Sequence, residues 1–213
     1  MTIDDLKRIR QHADPHLEWA LYVQFNLGTR PGTSELLALK WEHVNFDKGV
    51  VHVYASKTKT WREIDISDEF RAQLLAKKAE ADEELKEKAA RRAKAEGKAK
   101  GWTHEQIAEV AAAAASEAKS VYIIEFQGRP VKCLRSSFKA ALKKAGITYP
   151  VRLYDIRHLF ASVMLSKGAD LAAVSGLMGH SSIQQTANTY YELMAGEKKR
   201  AIATLPSLLE GEP

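Results

Sequence analysis

The chain has 213 residues, 45% of them hydrophobic, and a formal net charge of +5 at pH 7. This length suits one domain, or a small domain divided into two halves, with a real core. The single cysteine, Cys133, excludes an internal disulfide and a metal cluster built on thiolates. No apolar run approaches the roughly 18 residues of a membrane span, and MTIDDLKRIR lacks a signal-peptide core. We therefore expect a cytoplasmic protein without a membrane partner, whose charge permits a nucleic-acid partner without requiring one.

Capping signals predict two helices at the amino terminus. Thr2 with Asp5 is typical of an N-cap, and Asp14 followed by proline starts a second helix that runs to Leu27. After a turn over residues 28–34, ELLALKW predicts a short helix. VVHVYA and REIDI then alternate like the two strands of a hairpin. A small sheet is therefore expected among helices.

Residues 76–119 are dominated by alanine, lysine and glutamate, and we predict a helical hairpin there. Ser67 caps the helix that leads into this segment, Gly97 and Gly101 interrupt it, and Thr103 opens a capping box for a second helix. Favourable i, i+4 charge pairs support both helices. We interpret the segment as a solvated insertion without chemistry, and a partner-binding arm is the alternative.

The remaining elements complete the predicted fold. SVYIIEF predicts a third strand, and VKCLRSSFKAALKKAGI predicts a helix that ends at Gly146. From Tyr154 onward we expect helices separated at Gly168, Gly179 and Gly196. The fold class is mainly α with a small antiparallel three-stranded β-sheet, an α+β arrangement.

One stretch carries most of the chemistry, YDIRHLFASVMLSKGADLAAVSGLMGHSSIQQTANTYY. It contains an arginine that can bind a phosphate through two hydrogen bonds, histidines that can transfer a proton and a pair of tyrosines. A tyrosine hydroxyl can attack phosphorus. The stretch resembles the carboxyl-terminal signature of the tyrosine recombinases, the phage integrase family, whose pattern runs R-H, then L-G-H, then T-x-x-Y. The resemblance implies the integrase catalytic-domain fold.

The resemblance implies two further residues upstream. A first arginine stands before an E-L-x-x-L-x-W segment, and Arg30 in LGTRPGTSELLALKW matches it. Glu35 follows Arg30 by five positions where the family has three, so the PGTS turn is two residues longer. A lysine in the strand hairpin protonates the departing 5′ oxygen in the family. Lys57 in ASKTKTWREIDIS is the better match, and Lys59 is the alternative.

Arg157 matches the second arginine of the family, and with Arg30 it is expected to hold both non-bridging oxygens of one phosphate. The family writes this box H-x-x-R, and here Tyr154 stands in the place of the histidine. A tyrosine can hydrogen bond a phosphate but does not readily act as a base at neutral pH. His158 fits the box too, and we interpret it as a packed histidine. His180 matches the L-G-H element, which places a hydrogen-bond donor beside the scissile phosphate.

Tyr190 is predicted to be the nucleophile because Thr186 and Tyr190 form the pattern T-x-x-x-Y. The spacing in the family varies by about one residue. Tyr191 follows at once, and neighbouring side chains on a helix point about 100° apart, so only one of the two can face the phosphate. We expect Tyr191 to pack, and we keep it as the alternative nucleophile.

These residues imply a site-specific DNA recombinase, an integrase that cleaves and rejoins strands through a 3′-phosphotyrosyl intermediate. No clustered carboxylates suit a two-metal nuclease and no GK[ST] loop suits a nucleotide, so we expect no metal, ATP or other cofactor. A DNA-binding module that lost its chemistry is one alternative, favoured by the missing box histidine and by the longer turn after Arg30. Type IB topoisomerase-like activity is another. A helical scaffold would explain only residues 76–119.

The resemblance also suggests how the chain is organised and what it binds. We expect a single catalytic domain over residues 1–213 that begins at the first catalytic helix, without the amino-terminal core-binding domain of the family. Residues 197–213, which include apolar Ile202 and Leu205, are expected to form a tail helix that docks in cis in a monomer and in trans on DNA. The expected partners are duplex attachment sites, other copies in a tetrameric synapse, and accessory DNA-bending proteins.

Overall fold

The computed structural model describes residues 1–55, 59–180 and 182–190. Predictions for Lys57, Tyr191, Gly196 and the tail 197–213 lie outside the described residues. The helices are α1 (Ile3–Gln11), α2 (Pro15–Leu27), α3 (Asp68–Ala99), α4 (His104–Glu117), α5 (Arg135–Lys144), α6 (Asp155–Ser166), α7 (Leu171–Met178) and α8 (Ile183–Tyr190). The strands are β1 (Val44–Asn45), β2 (Val50–Ala55), β3 (Thr60–Asp65), β4 (Glu125–Phe126) and β5 (Arg129–Pro130).

The first two helices are confirmed, with Thr2 and Asp14 at their N-cap positions, and of these two only Thr2 makes a capping hydrogen bond through its side chain. The Asp5 amide donates to Thr2 Oγ1 at 3.1 Å and the Thr2 amide donates to Asp5 Oδ2 at 2.7 Å, which completes a capping box. Helix α2 ends at Gly28, whose φ of 57° is left-handed. A Cβ at Gly28 would lie only 2.5 Å from the ring of Phe160 on α6. Glycine at this position therefore lets α6 pack directly against the end of α2.

The predicted helix over ELLALKW is wrong. The segment forms two short 3₁₀ turns, Leu36–Ala38 and Trp41–His43, separated by extended backbone at Leu39. The Ile123 amide donates to Leu39 O and the Trp41 amide donates to Val121 O, each at 3.0 Å. These long-range hydrogen bonds replace the helical ones, because the segment pairs with a neighbouring chain segment instead of with itself.

The sheet has the predicted size but not the predicted third strand. Its order is β1–β2–β3, all antiparallel, with Val51 opposite both Val44 and Ile64. SVYIIEF contributes only β4, which pairs with β5 in a separate two-stranded ribbon. Ile123 and Ile124 are both buried in the core, so this segment lacks the alternation of a half-exposed strand. The mainly α fold with a small three-stranded antiparallel sheet is confirmed.

Residues 76–119 form the outer part of α3 and all of α4, which pack on each other. The prediction that Gly97 interrupts the first helix is wrong, since α3 runs unbroken from Asp68 to Ala99. A Cβ at Gly97 would lie 2.8 Å from both Trp102 and Ile107. Glycine is needed here for close helix packing, and the chain reverses only at Gly101, where φ is 71°.

Two hydrophobic clusters meet along α6. Ile156 and Leu159 belong to the larger cluster, which joins α1, α2, the sheet and α5. Phe160 and Leu165 belong to a smaller cluster with α7 and with Tyr190 of α8. Arg157 lies on the same helix between these contacts, so the junction of the two clusters positions it. No helix in the described ranges is long and apolar enough to cross a membrane.

Candidate active site

The buried Glu35 carboxylate lies at the centre of a cluster of three arginines. Arg30 Nη1 is 2.5 Å from Oε1, Arg62 Nη2 is 2.7 Å from Oε2, and Arg157 Nη1 is 3.8 Å from Oε2. The Arg30 amide also donates to Oε2 at 2.9 Å. Burial favours the protonated acid, but hydrogen bonds from Arg62 and from this amide lower the pKa of Glu35 overall. Glu35 is therefore an anion at neutral pH and offsets part of the positive charge.

Arg157 is fully buried and joins three parts of the fold. Its Nη1 donates to Gly28 O at 2.8 Å, and its Nη2 donates to Met178 O. These carbonyls stand at the carboxyl ends of α2 and α7, where a cation is favourable. Burial, and then the charge of Arg30, lower the pKa of Arg157 to about 10, which still leaves the guanidinium charged at pH 7. Arg157 thus brings a fixed positive charge to the junction of α2, α6 and α7.

His180 follows the left-handed Gly179 that ends α7, where φ is 64°. Its amide donates to Ser175 O at 3.1 Å, and its Nδ1 lies 2.7 Å from Thr186 Oγ1 on α8. Burial, and then the charges of Arg157 and Arg30, lower the pKa of His180 to about 4. The imidazole is therefore neutral at pH 7. When the Thr186 hydroxyl donates to Nδ1, the ring proton resides on Nε2 and makes it a donor.

Tyr190 ends α8 and is 5% exposed. Its hydroxyl lies 2.8 Å from Nδ1 of His158, whose ring also meets the Tyr154 ring at 5.1 Å between centroids. Burial raises the pKa of Tyr190 to about 12, and Arg157 opposes part of this shift. Burial lowers the pKa of His158, so its ring is neutral at pH 7. The sequence predicted a packed histidine here, and the structure adds a hydrogen bond; when the ring proton resides on Nε2, Nδ1 accepts the phenol proton.

The structure brings most of the predicted site residues to one place: Arg30, Glu35, Tyr154, Arg157, His158, His180 and Tyr190. Lys59 is the exception among the described residues. It is exposed in the β2–β3 turn with a φ of 55°, and its amide donates to Ala55 O. Within the described ranges no hydrogen bond joins the Lys59 side chain to the arginine cluster. Lys57 and Tyr191 remain predictions, because both lie outside the described residues.

Arg62 on β3 is part of the cluster, and the sequence reasoning missed it. The alternation of side chains along a strand could have identified it. Arg62 stands two residues before Ile64, which is 1% exposed, so both side chains point to the same inward face of the sheet. An arginine at an inward strand position needs a buried partner. The sequence does not reveal that the partner is Glu35, 27 positions earlier.

We expect Glu35→Gln to lower the free energy of unfolding at pH 7 by about 3 kcal/mol, because buried guanidiniums lose their counter-charge. The folded-state pKa of Glu35 lies below its ordinary value of 4.5. Its contribution is therefore complete above that value and is lost as the pH falls through the folded-state pKa. Urea unfolding at pH 7 and pH 3 should show a difference between wild type and variant that shrinks at pH 3. A difference independent of pH would contradict this.

Glu18→Gln is the matched control. Glu18 also binds an arginine, Arg10, but its side chain is 36% exposed. Pairs at the surface contribute about 0–1 kcal/mol, so this variant should unfold close to wild type at both pH values.

The sequence matches the family model described as "Phage integrase family" over residues 1–197. A relative, the "Tyrosine recombinase XerC-like" protein of Caldanaerobacter subterraneus subsp. tengcongensis, is 26% identical over an alignment of 224 positions that covers 96% of this chain. The chain spans 53% of the length of that relative.

Solved structures share the fold. The catalytic domain of bacteriophage HP1 integrase superposes with a TM-score of 0.61 at 18% identity, covering 100% of this chain and 98% of that one. A lambda integrase dimer bound to a COC′ core site superposes with a TM-score of 0.57 at 18% identity, covering 87% of this chain and 58% of that one. With a family match that covers all but the last 16 of its 213 residues, the chain belongs to the phage integrase family.

Proposed function

We propose that this chain cleaves and rejoins DNA strands in site-specific recombination, with Tyr190 as the nucleophile. The observation that carries the proposal is the 2.8 Å contact between the Tyr190 hydroxyl and Nδ1 of His158, next to the buried guanidinium of Arg157. A hydroxyl with a proton acceptor beside a fixed cation suits attack on a phosphodiester. The integrases and recombinases that the chain resembles support the same reaction class.

In the proposed step, the Tyr190 oxygen attacks the scissile phosphorus. The new O–P bond forms as the bond from phosphorus to the 5′ oxygen breaks, which leaves a 3′-phosphotyrosyl link and a free 5′ hydroxyl. The phenol proton moves to His158, and the departing oxygen takes a proton for which Lys57 is the proposed donor. Because the phosphotyrosyl link keeps a phosphodiester, the reverse step rejoins strands without a nucleotide.

The raised pKa of Tyr190 sets the free-energy cost of activating the nucleophile. A phenol with a pKa of about 12 is ionised to about one part in 10⁵ at pH 7, which corresponds to about 7 kcal/mol against the nucleophile. Transfer of the proton to His158 during attack avoids a free phenolate. Arg30, Arg157 and the neutral His180 then supply positive charge and donors to the oxygens where charge accumulates.

The experiment that tests the proposal uses a nicked suicide duplex, on which cleavage releases a short strand and traps the adduct. We expect a covalent protein–DNA product on a denaturing gel, unchanged by a chelator. Duplex binding without an adduct would favour a DNA-binding module that lost its chemistry. Relaxation of any supercoiled plasmid, without site preference, would favour topoisomerase-like activity.

A basic cleft adjoins the site and supports duplex DNA as the proposed partner. Besides Arg152, its lining includes Tyr154, Pro31 and three further cations, Lys132, Arg135 and Lys139. These three cations extend from α5 and the segment before it, so they continue the positive charge of the arginine cluster outward. Cations that neutralise phosphates release counterions, which makes binding depend on salt.

We expect the triple variant Lys132→Gln, Arg135→Gln, Lys139→Gln to bind duplex DNA about tenfold or more weakly in moderate salt. The slope of log K against log salt should fall by about two to three, because each phosphate contact contributes roughly 0.9. Fluorescence anisotropy across a salt series measures both quantities.

The matched control neutralises Arg92, Lys94 and Lys98, which are exposed on the outer part of α3. This variant should keep the wild-type slope if residues 76–119 are a solvated insertion. If this variant lost as much duplex affinity as the cleft variant, the net charge of the protein and not the position of the cations would determine binding. That result would contradict the proposal that the cleft binds the duplex.

We further propose that the active form is an assembly of several copies on DNA. Exchange of strands between two duplexes requires a nucleophile at each of four cleaved strands, and each chain offers one. The lambda integrase structure, a dimer bound to a core site, supports self-association on DNA.

A further inference from the structure

Arg62 contacts two different parts of the candidate site. Its Nη2 donates to Glu35 Oε2 at 2.7 Å, and its Nε donates to Leu177 O at 3.0 Å. The side chain is only 10% exposed. Arg62 therefore links the carboxylate at the centre of the cluster to the carboxyl end of α7.

The end of α7 is held by two arginines acting on consecutive carbonyls. Arg62 binds Leu177 O and Arg157 binds Met178 O. The chain then turns at Gly179 and presents His180. A Cβ at Gly179 would lie 3.0 Å from Arg62 Nη1, so the turn packs directly on this guanidinium. The placement of His180 thus depends on Arg62 through the backbone.

The remaining nitrogen of Arg62 does not face solvent. Nη1 is buried and has no hydrogen-bond partner among the residues that the structure describes. A buried N–H without a partner costs about 1–3 kcal/mol, which offsets part of what the ion pair with Glu35 contributes to stability. Both hydrogen bonds of the guanidinium are to groups of the protein, Glu35 and the Leu177 carbonyl.

We propose that Arg62 is a positioning residue for strand cleavage. It orients Arg30 by holding their shared partner Glu35, and it orients His180 by holding the end of α7. The inference rests on the proposed function of the site, since it concerns the same reaction. It adds a residue that the family pattern in the sequence did not point to.

The test compares Arg62→Gln and Arg62→Lys with wild type in single-turnover adduct formation at saturating suicide duplex. Small displacements of catalytic groups cost up to about 10²-fold, so Arg62→Gln should be slowed by about that factor with duplex affinity changed less than about twofold. Arg62→Lys should recover part of the rate, since it keeps a cation near Glu35. Arg10→Gln, which removes an arginine that binds Glu18 through two nitrogens, should cleave at the wild-type rate.

A double variant tests whether Arg62 acts through Glu35. If it does, Arg62→Gln with Glu35→Gln should cleave no more slowly than the slower single variant, because both remove the same link. Losses that multiply would overturn the route through Glu35, and a wild-type rate in Arg62→Gln would overturn the proposal as a whole. A loss of duplex affinity as large as the loss of rate would assign Arg62 to DNA binding instead.

The imidazole resonances of His180 provide a readout that does not need the reaction. We expect them to shift in Arg62→Gln and to stay in place in Arg10→Gln. Unchanged resonances in Arg62→Gln would overturn the positioning role. If wild type formed no adduct while the resonances shifted, the proposed chemistry would fail and the positioning of His180 by Arg62 would stand.

Discussion

Tyr190→Phe is expected to abolish the covalent adduct with a suicide duplex, lowering the rate of its formation by about 10⁴-fold or more. Phenylalanine keeps the ring in the smaller hydrophobic cluster but removes the hydroxyl oxygen proposed to bond to phosphorus, and loss of a nucleophile eliminates nearly all catalysis. Duplex affinity should be unchanged, because the hydroxyl is turned toward His158 in the protein. Gel quantification of the adduct and anisotropy of binding measure the two effects separately.

Tyr191→Phe is the matched control, since it removes the same atom one position later. We expect this variant to form the adduct at close to the wild-type rate. The opposite pattern, in which Tyr191→Phe is inactive and Tyr190→Phe is active, would identify Tyr191 as the nucleophile. In that case the contact between Tyr190 and His158 would be structural.

Substitution of Arg157 should have the second-largest effect, on both stability and cleavage. Arg157→Ala leaves Glu35 with one fewer cation and leaves the carbonyls of Gly28 and Met178 without their donor. Removing one partner of a buried ion pair costs about 3–5 kcal/mol. Because the proposed donor to the scissile phosphate is lost as well, the cleavage rate should fall by about 10²–10³-fold or more.

Arg157→Lys separates the charge from the geometry. Lysine keeps the positive charge but cannot donate to both carbonyls in the planar fork of a guanidinium. We expect it to recover part of the stability, measured by urea unfolding, and little of the single-turnover rate. Wild-type cleavage by Arg157→Lys would show that charge alone suffices. Arg152→Gln, which alters an exposed pair with Asp155, should leave stability within about 1 kcal/mol of wild type.

Local signals in the sequence predicted most elements of the fold. Caps and periodicity act over a few residues, so they were sufficient for α1, α2 and the β2–β3 hairpin. They were insufficient for ELLALKW, where hydrogen bonds to residues 121–123 replaced a helix. They were also insufficient for SVYIIEF, whose consecutive buried isoleucines serve the core and not the sheet.

The sequence by itself determined the family and the residue types of the site, because Arg30, Arg157, His180 and Tyr190 stand in recognisable motifs. Only the tertiary structure decided what these residues contact. The hydrogen bond between Tyr190 and His158 joins residues 32 positions apart in the sequence. The hydrogen bond from Arg62 to Glu35 joins residues 27 positions apart. A spacing along the chain does not encode such distances, because the packing of α6 against α2 and of α7 against β3 sets them. The burial that results makes Glu35 a shared counter-ion and gives the Tyr190 hydroxyl a proton acceptor.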